Sequence, residues 1–377
     1  MRWKDIYLGL NVMTYFSFFS TLYLYLPIIT KEFNLNNQHI GIIGFFYSLG
    51  SVFSGFLLAN FIENSKYRNT IIKIIMLINS ILIFSLIYIK NYFFLLFAVF
   101  LIGYFGASFV GSNISRSKNK GITIGISSIG FIIGYLIGGI LENYNIMFII
   151  ISFLFLFLLI LNFFTPIFED KNEKREENKL VNPITIIKNN WFIYLSLFLR
   201  HIGAASIWIY LSYILLNYYH FNLHIIGILN AINILVQTFS NPLIYVFLKK
   251  DNRSILKLIS LGFFLSALYF LFFPLTKNLL VLSLLQIILG LSFTALYLGT
   301  IEYLSENNEE KVTAITLISS TFSLANAVGA AISVFLIKLG YTWLFINGFI
   351  LASISFFIIL SVLRNKFRRL VYSDVYS

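Results

Sequence analysis

The chain has 377 residues, of which 59% are apolar and only 11% charged, where soluble domains carry about 25% charged residues. With a mean hydropathy of +0.86, it is too apolar for a soluble globular enzyme or a disordered protein. The net charge of +12 does not indicate nucleic-acid binding, because the basic residues sit in short clusters between apolar runs, as they do in polytopic membrane proteins.

Twelve apolar segments follow in chain order: Ile6–Ile29, Ile40–Phe61, Thr70–Ile89, Tyr92–Gly111, Gly121–Leu141 and Ile146–Phe164, then Trp191–Leu216, Ile225–Leu248, Ser254–Pro274, Leu279–Tyr303, Val312–Ile337 and Tyr341–Leu363. A spanning helix needs roughly 20 residues. In hydrocarbon only helices and closed barrels satisfy their own backbone, and these runs are about twice the length of a barrel strand. The expected fold is therefore all-α and integral to the membrane, with twelve transmembrane helices in two pseudo-symmetric six-helix bundles. The start, MRWKDIYLGLNVM, carries no small-residue cleavage site, so the first segment is expected to act as its own insertion signal.

Between segments 6 and 7 lies EDKNEKREENK, read as a solvated linker. The predicted organisation is an N-terminal bundle over 1–167, a charged cytoplasmic linker over 168–190 and a C-terminal bundle over 191–377 with a short basic tail. With the N-terminus inside, 22 of the 27 Lys and Arg residues fall on inner segments and 4 on outer loops, leaving Arg200 within a span. That asymmetry predicts a multi-pass protein of the cell membrane with both termini cytoplasmic.

The halves resemble each other. FNLNNQHIGIIG at 33–44 opens segment 2, and FNLHIIGILN at 221–230 opens segment 8. Gly130, Gly134 and Gly138 in segment 5, shifted by 193 residues, land on Ser323, Ala327 and Ala331 in segment 11. Parallel repeats of this kind are a transporter design.

Segment 5 contains GFIIGYLIGG, with Gly130, Gly134, Gly138 and Gly139. Glycines four apart share a helix face and admit a second backbone. The alternatives are static helix packing and a surface on which the two halves slide. Segment 2 has a similar face at Gly41, Gly44, Ser48, Ser51 and Gly55, and segment 11 at Ser319, Ser323, Ala327 and Ala330.

These features together resemble the major facilitator superfamily. The glycine string is similar to that family's G-x-x-x-G-P-x-x-G-G motif, associated with antiporters, with Tyr135 in place of proline. ANFIENSKYR after segment 2 resembles its G-x-L-A-D-R-x-G-R-R motif, with Ala59 for the first glycine, Glu63 for aspartate, Lys66 for the second glycine and Arg68 as the final basic residue. The resemblance implies alternating access, a cytoplasmic gate at Glu63 with Arg68, and a cavity lined chiefly by helices 1, 4, 7 and 10. Asn79 and Asn347 depart from it, lying on helices that the resemblance turns to lipid.

Arg200 lies nine residues into segment 7, about 13 Å deep at 1.5 Å per residue. A guanidinium there costs at least roughly 2.5 kcal/mol unless it faces water, an anion or carbonyls. No Asp or Glu lies deep in any segment; Glu142 and Glu302 sit near segment ends. A substrate carboxylate or phosphate is one candidate partner. Bundle carbonyls or amides are the other. The neighbouring His201 is a candidate for a coupling proton, or else a packed histidine. Asn230, Asn233 and Gln237 share a face of segment 8, continued by Asn241. Together with Asn11, Tyr15, Gln286 and, as an aromatic wall, Trp208 they complete the expected substrate-contacting set, each amide with interhelical hydrogen bonding as its structural alternative.

The sequence has no P-loop, HExxH or GxSxG pattern, no cysteine and four scattered histidines. It is read as no enzyme, with no cofactor and no metal site. The function read from these residues is secondary transport of a small anionic or polar metabolite, contacted by Arg200. The alternatives are a proton-coupled multidrug antiporter for lipophilic cations and a non-transporting receptor or assembly protein on the same scaffold. The expected partners are the lipid bilayer, a small-molecule substrate and a coupling proton or ion. No nucleic acid is expected, and the protein is expected to be a monomer.

Overall fold

The computed structural model describes residues 3–58, 62, 65, 67–117, 120–164, 183–249, 251–308 and 311–373. Regular structure among these residues is helical throughout. The first six long helices are α1 (Trp3–Glu32), α2 (Gln38–Phe53, continued by a π-helical turn Ser54–Leu58), α3 (Arg68–Ser85), α4 (Tyr92–Arg116), α5 (Lys120–Leu141) and α6 (Tyr144–Phe164). After a short helix at Pro183–Asn189 come α7 (Trp191–Asn217), α8 (Leu223–Phe247), α9 (Asn252–Phe272), α10 (Leu279–Asn307), α11 (Lys311–Leu339) and α12 (Tyr341–Ser373). Each predicted segment contains one of these helices. Among the described residues ten helices are long and apolar enough to cross a membrane, while α5 contributes a shorter apolar stretch, Gly125–Leu141.

Helix starts follow local chemistry. Asn91 accepts hydrogen bonds from the Phe93 and Phe94 amides at α4, Asn278 from Leu280 and Val281 at α10, and Asp251 from Ser254 at α9. These side chains satisfy N–H groups that a helix cannot pair internally. α12 runs ten residues beyond the predicted end of its segment. The extension is RNKFRRLVYS, whose charged residues are sound helix formers in water but fail the apolar criterion that marks a span.

Two compact units divide the chain. Unit 1 holds Met1–Lys179 together with Trp208–Ala231, and unit 2 holds Leu180–Ile207 together with Ile232–Ser377. The linker expected at 168–190 falls mostly outside the described residues. The latter part of α7 and the first turns of α8 thus belong with the N-terminal helices, and unit boundaries cut through two helices.

Within unit 1, α1 packs on α5, α2 on α4, and α3 on both α4 and α6. In unit 2, α9 packs on α10 and α12, around a core that includes Ile255, Ile259, Phe263, Leu296, Ile318 and Ile359. The α3 contacts thus recur at α9. A polar detail carries the repeat further. The Ser54 and Ser108 hydroxyls share a hydrogen bond of 2.5 Å between α2's terminal turn and α4, and those of Ser240 and Thr294 share one of 2.8 Å between α8 and α10. Adding 186 to 54 and to 108 lands on 240 and 294, so both partners keep register.

Candidate functional site

In unit 1 the polar residues of α1 turn onto neighbouring helices. Asn11 is fully buried and donates through Nδ2 to Asn113 Oδ1 at 3.0 Å, while Asn113 donates to the Phe109 carbonyl at 2.8 Å. The Tyr15 and Tyr47 hydroxyls share a hydrogen bond of 2.5 Å, with both rings buried. Aromatic rings surround that pair: Phe19 stacks on Tyr23 with centroids 4.3 Å apart, and Phe16 on Phe131 at 4.5 Å. Amide and tyrosine pairs place these neutral polar groups against one another where no water competes.

The α5 glycines divide between two neighbours. A Cβ on Gly130 would overlap the Met13 carbonyl, one on Gly134 would overlap Ser20 Oγ, and one on Gly138 would come within 3.0 Å of Leu24. These three seat α5 against α1. Gly139 faces α8 instead: its Cβ would lie 2.8 Å from the Leu223 carbonyl and 3.3 Å from Gly227 Cα. Gly227 in turn leaves no room for a Cβ beside the Tyr135 carbonyl. α5 and the start of α8 therefore cross nearly backbone to backbone.

Close by in the sequence of unit 1, Tyr210 ties α7 to the start of α2. Its hydroxyl accepts from the Gly41 amide at 3.1 Å and donates to the Gln38 carbonyl at 3.3 Å. On α2, Gly44 sits against Ile209, where a side chain would collide. The sequence reading missed Tyr210, although the small residues Gly41 and Gly44 marked the surface it meets. Also missed is a polar cluster where α1 begins. Asp5, only 2% exposed, accepts from Ser117 Oγ at 2.9 Å through Oδ1, and Thr123 donates to Ser117 Oγ at 2.7 Å. Asp5 precedes the first apolar run, so its position alone gave no sign of burial.

Unit 2 carries the charge. Arg200 is 1% exposed and donates from Nε to Ser266 Oγ on α9 at 2.9 Å. Ser266 shares a 2.6 Å hydrogen bond with Ser292 on α10, which donates to the Gly262 carbonyl at 2.8 Å. The rings of Phe270 and Phe293 each lie 5.9 Å from the guanidinium carbon. His201, one residue on, takes a different side of α7 and stacks on Phe322 of α11 at 4.4 Å. Phe293 and Tyr297 of α10 stack at 5.8 Å, and each also approaches Phe322.

The remaining polar candidates are less concentrated. Gln237 donates to Asn233 Oδ1 at 2.7 Å, and Asn241 to the Gln237 carbonyl at 2.8 Å, so these amides form one strip along α8. Asn230 is buried on the unit 1 part of the same helix. Gln286 is buried and donates to Tyr269 OH at 3.4 Å. Trp208 is half-buried at the unit 1 end of α7. Asn79 is fully buried, and Asn347 donates to Ser206 Oγ at 3.4 Å. Of the expected gate pair, Arg68 opens α3, while Glu63 lies outside the described residues. No group of three or more His, Cys, Asp or Glu that could hold a metal ion occurs among the described residues.

The profile of the Major Facilitator Superfamily matches residues 8–296 and 193–371. The chain belongs to the major facilitator superfamily. Solved structures agree on the fold. The nucleoside transporter NupG is 15% identical, with a TM-score of 0.73 over 97% of this chain and 99% of that one. A bacterial homologue of the human lysosomal transporter Spinster, in an inward-facing and unoccupied conformation, is 13% identical, with a TM-score of 0.74 over 96% of each chain. No curated protein matches by sequence. Membership of the superfamily makes the chain a multi-pass membrane transporter rather than an enzyme. In this superfamily member the sequence candidates divide between the units: Asn11 and Tyr15 belong to the polar interior of unit 1, and Arg200, His201 and Gln286 to that of unit 2.

Proposed function

We propose that this superfamily member is a secondary transporter that moves a small anionic or polar metabolite by alternating access. The observation that carries the reading is Arg200, a guanidinium at mid-span on α7, set in a chain whose spans hold no carboxylate at comparable depth. Ser266 fixes its Nε and Ser292 fixes Ser266, so the charge is held in place by a neutral network. At about 8 Å and an effective dielectric of about 20, such a charge attracts an anion by about 2 kcal/mol and repels a cation equally. The amide strip of Asn233 and Gln237, and the tyrosines Tyr15 and Tyr47, supply neutral hydrogen-bonding groups for a polar solute. His201, adjacent to Arg200, is the proposed site of a coupling proton.

Gates are part of the same reading. Glu63 with Arg68 is proposed to latch the cytoplasmic end. The crossing of Gly139 with Gly227, together with Tyr210 on Gln38 and Gly41, is proposed to latch the opposite end. The α5 glycine string suggested an antiporter for lipophilic cations, but Gly130, Gly134 and Gly138 are accounted for by close packing on α1.

The test is a solute panel of anionic metabolites, neutral sugars and lipophilic cations. Each is assayed by thermal shift in detergent and by counterflow into liposomes, at mildly acidic and mildly alkaline pH. A ligand of the folded state raises its apparent stability. Stabilisation and flux for anionic or polar solutes are expected. Flux of lipophilic cations alone would replace this reading with the multidrug one, and a well-folded sample that moves nothing would replace it with a non-transporting role.

A further inference from the structure

Where α8 ends and α9 begins, unit 2 has an open cavity of about 500 Å³. Its apolar floor includes Leu243, Phe247 and Leu261, all exposed, Phe247 at 78%. Its polar rim is Lys249, Ser254 and Lys257. We propose that this groove binds an anionic phospholipid, with the phosphate between Lys249 and Lys257 and an acyl chain along the apolar floor.

Three observations select that occupant. The first is shape along the helix. Leu261 lies nine residues beyond the start of α9, about 13 Å at 1.5 Å per residue. The floor therefore runs from the helix end well into the span, which suits an amphipathic ligand and not a free ion. The second is charge. Lys249, Lys250, Arg253 and Lys257 fall within nine positions, against one acid, Asp251. That carboxylate is turned back on the Ser254 amide at 2.9 Å. Basic residues at the end of a span attract anionic headgroups, by roughly 1 kcal/mol each, and a lysine stem can lie along apolar surface while its ammonium reaches the headgroup level.

The third observation is an internal control. Lys257 is the sixth residue of α9, as Lys73 is of α3. The Lys73 ammonium lies over the Phe163 ring at 4.2 Å, a favourable cation–π position. Among the described residues neither Lys249 nor Lys257 has such a ring, nor a hydrogen bond or ion pair. The lysine in the second turn of α3 is engaged within the protein, and the lysine in the second turn of α9 is exposed.

The experiment measures phosphatidylglycerol and phosphatidylcholine retained by the intact detergent-solubilised protein in native mass spectrometry, with inorganic phosphate as a separate arm. Wild type is expected to retain phosphatidylglycerol preferentially. Lys249→Gln/Lys257→Gln should lower that retention by on the order of tenfold or more, while Lys73→Gln leaves it unchanged. Phe247→Ser should also lower it, because the floor is part of the site. Lys249→Gln alone, in the turn outside both helices, serves if the double variant is not recovered. Equal retention of the two lipids, retention indifferent to the lysines, or displacement of the lipid by millimolar inorganic phosphate would each overturn the proposal.

Discussion

The two repeats share their scaffold and differ in their charge. Ser54 with Ser108 and Ser240 with Thr294 make one contact twice, at one offset. The buried polar centres do not repeat. Away from the helix ends, unit 1 has Asn11 on Asn113 and Tyr15 on Tyr47, all neutral, whereas unit 2 has Arg200 on Ser266 and Ser292; the buried carboxylate of unit 1, Asp5, sits in the first turn of α1. A hydroxyl pair between adjacent helices answers a packing need that both bundles have. A buried guanidinium answers none that unit 1 lacks a neutral solution for. A costly group present in one repeat only marks function better than a group present in both.

The largest expected effect comes from removing that asymmetry. Arg200→Met should reduce solute flux by about 100-fold, the scale of a lost hydrogen bond to a charged group, while Arg200→Lys retains part of it. Initial rates in liposomes decide this, and wild-type flux in Arg200→Met would make the charge incidental. Next comes the α1–α5 contact. Gly130→Leu should lower stability by about 3 kcal/mol or prevent folding, because the side chain meets the Met13 backbone. Ser323→Leu, at the half-buried place in α11 that a shift of 193 residues pairs with Gly130, should cost less than about 1 kcal/mol. Apparent melting temperatures in detergent would separate the two.

Gly139→Val tests a different contact, α5 on the start of α8. It should leave the α1–α5 packing intact and loosen the end held by Tyr210. A cysteine placed at Gln38 should then react faster with a membrane-impermeant maleimide, in a chain with no native cysteine to confuse the signal. An unchanged labelling rate would remove Gly139 from the latch.

Smaller effects check the repeat itself. Ser54→Ala and Ser240→Ala should each destabilise by about 0.6 kcal/mol, and unequal losses would show that the paired hydroxyls are not equivalent. The smallest effect compares the starts of α9 and α3. The hydrogen bond from Ser254 holds the Asp251 carboxyl below its usual range, whereas α3 begins after Tyr67 without a side-chain cap. A carboxyl with a lowered folded pKa contributes stability above its unfolded value and loses it as pH falls through the folded one. Acidification should therefore speed amide exchange in the first turn of α9 and leave α3 unchanged.

The all-helical fold, all twelve helices and the duplication were legible in the sequence, because hydrocarbon leaves a long apolar run no alternative to helix. The buried charge at Arg200 was legible for the same reason, since a guanidinium within an apolar run is conspicuous. Which way it points was not. One residue step turns a side chain by about 100°, so only the packed bundle could direct Arg200 to Ser266 and His201 to Phe322. The glycine string announced close packing without naming the partner. The tertiary structure assigned Gly130, Gly134 and Gly138 to α1 and Gly139 to α8, since those are the backbones that lie within reach. Composition and periodicity determine that a helix exists and which residues share a face; contacts between residues a hundred positions apart determine what each face meets.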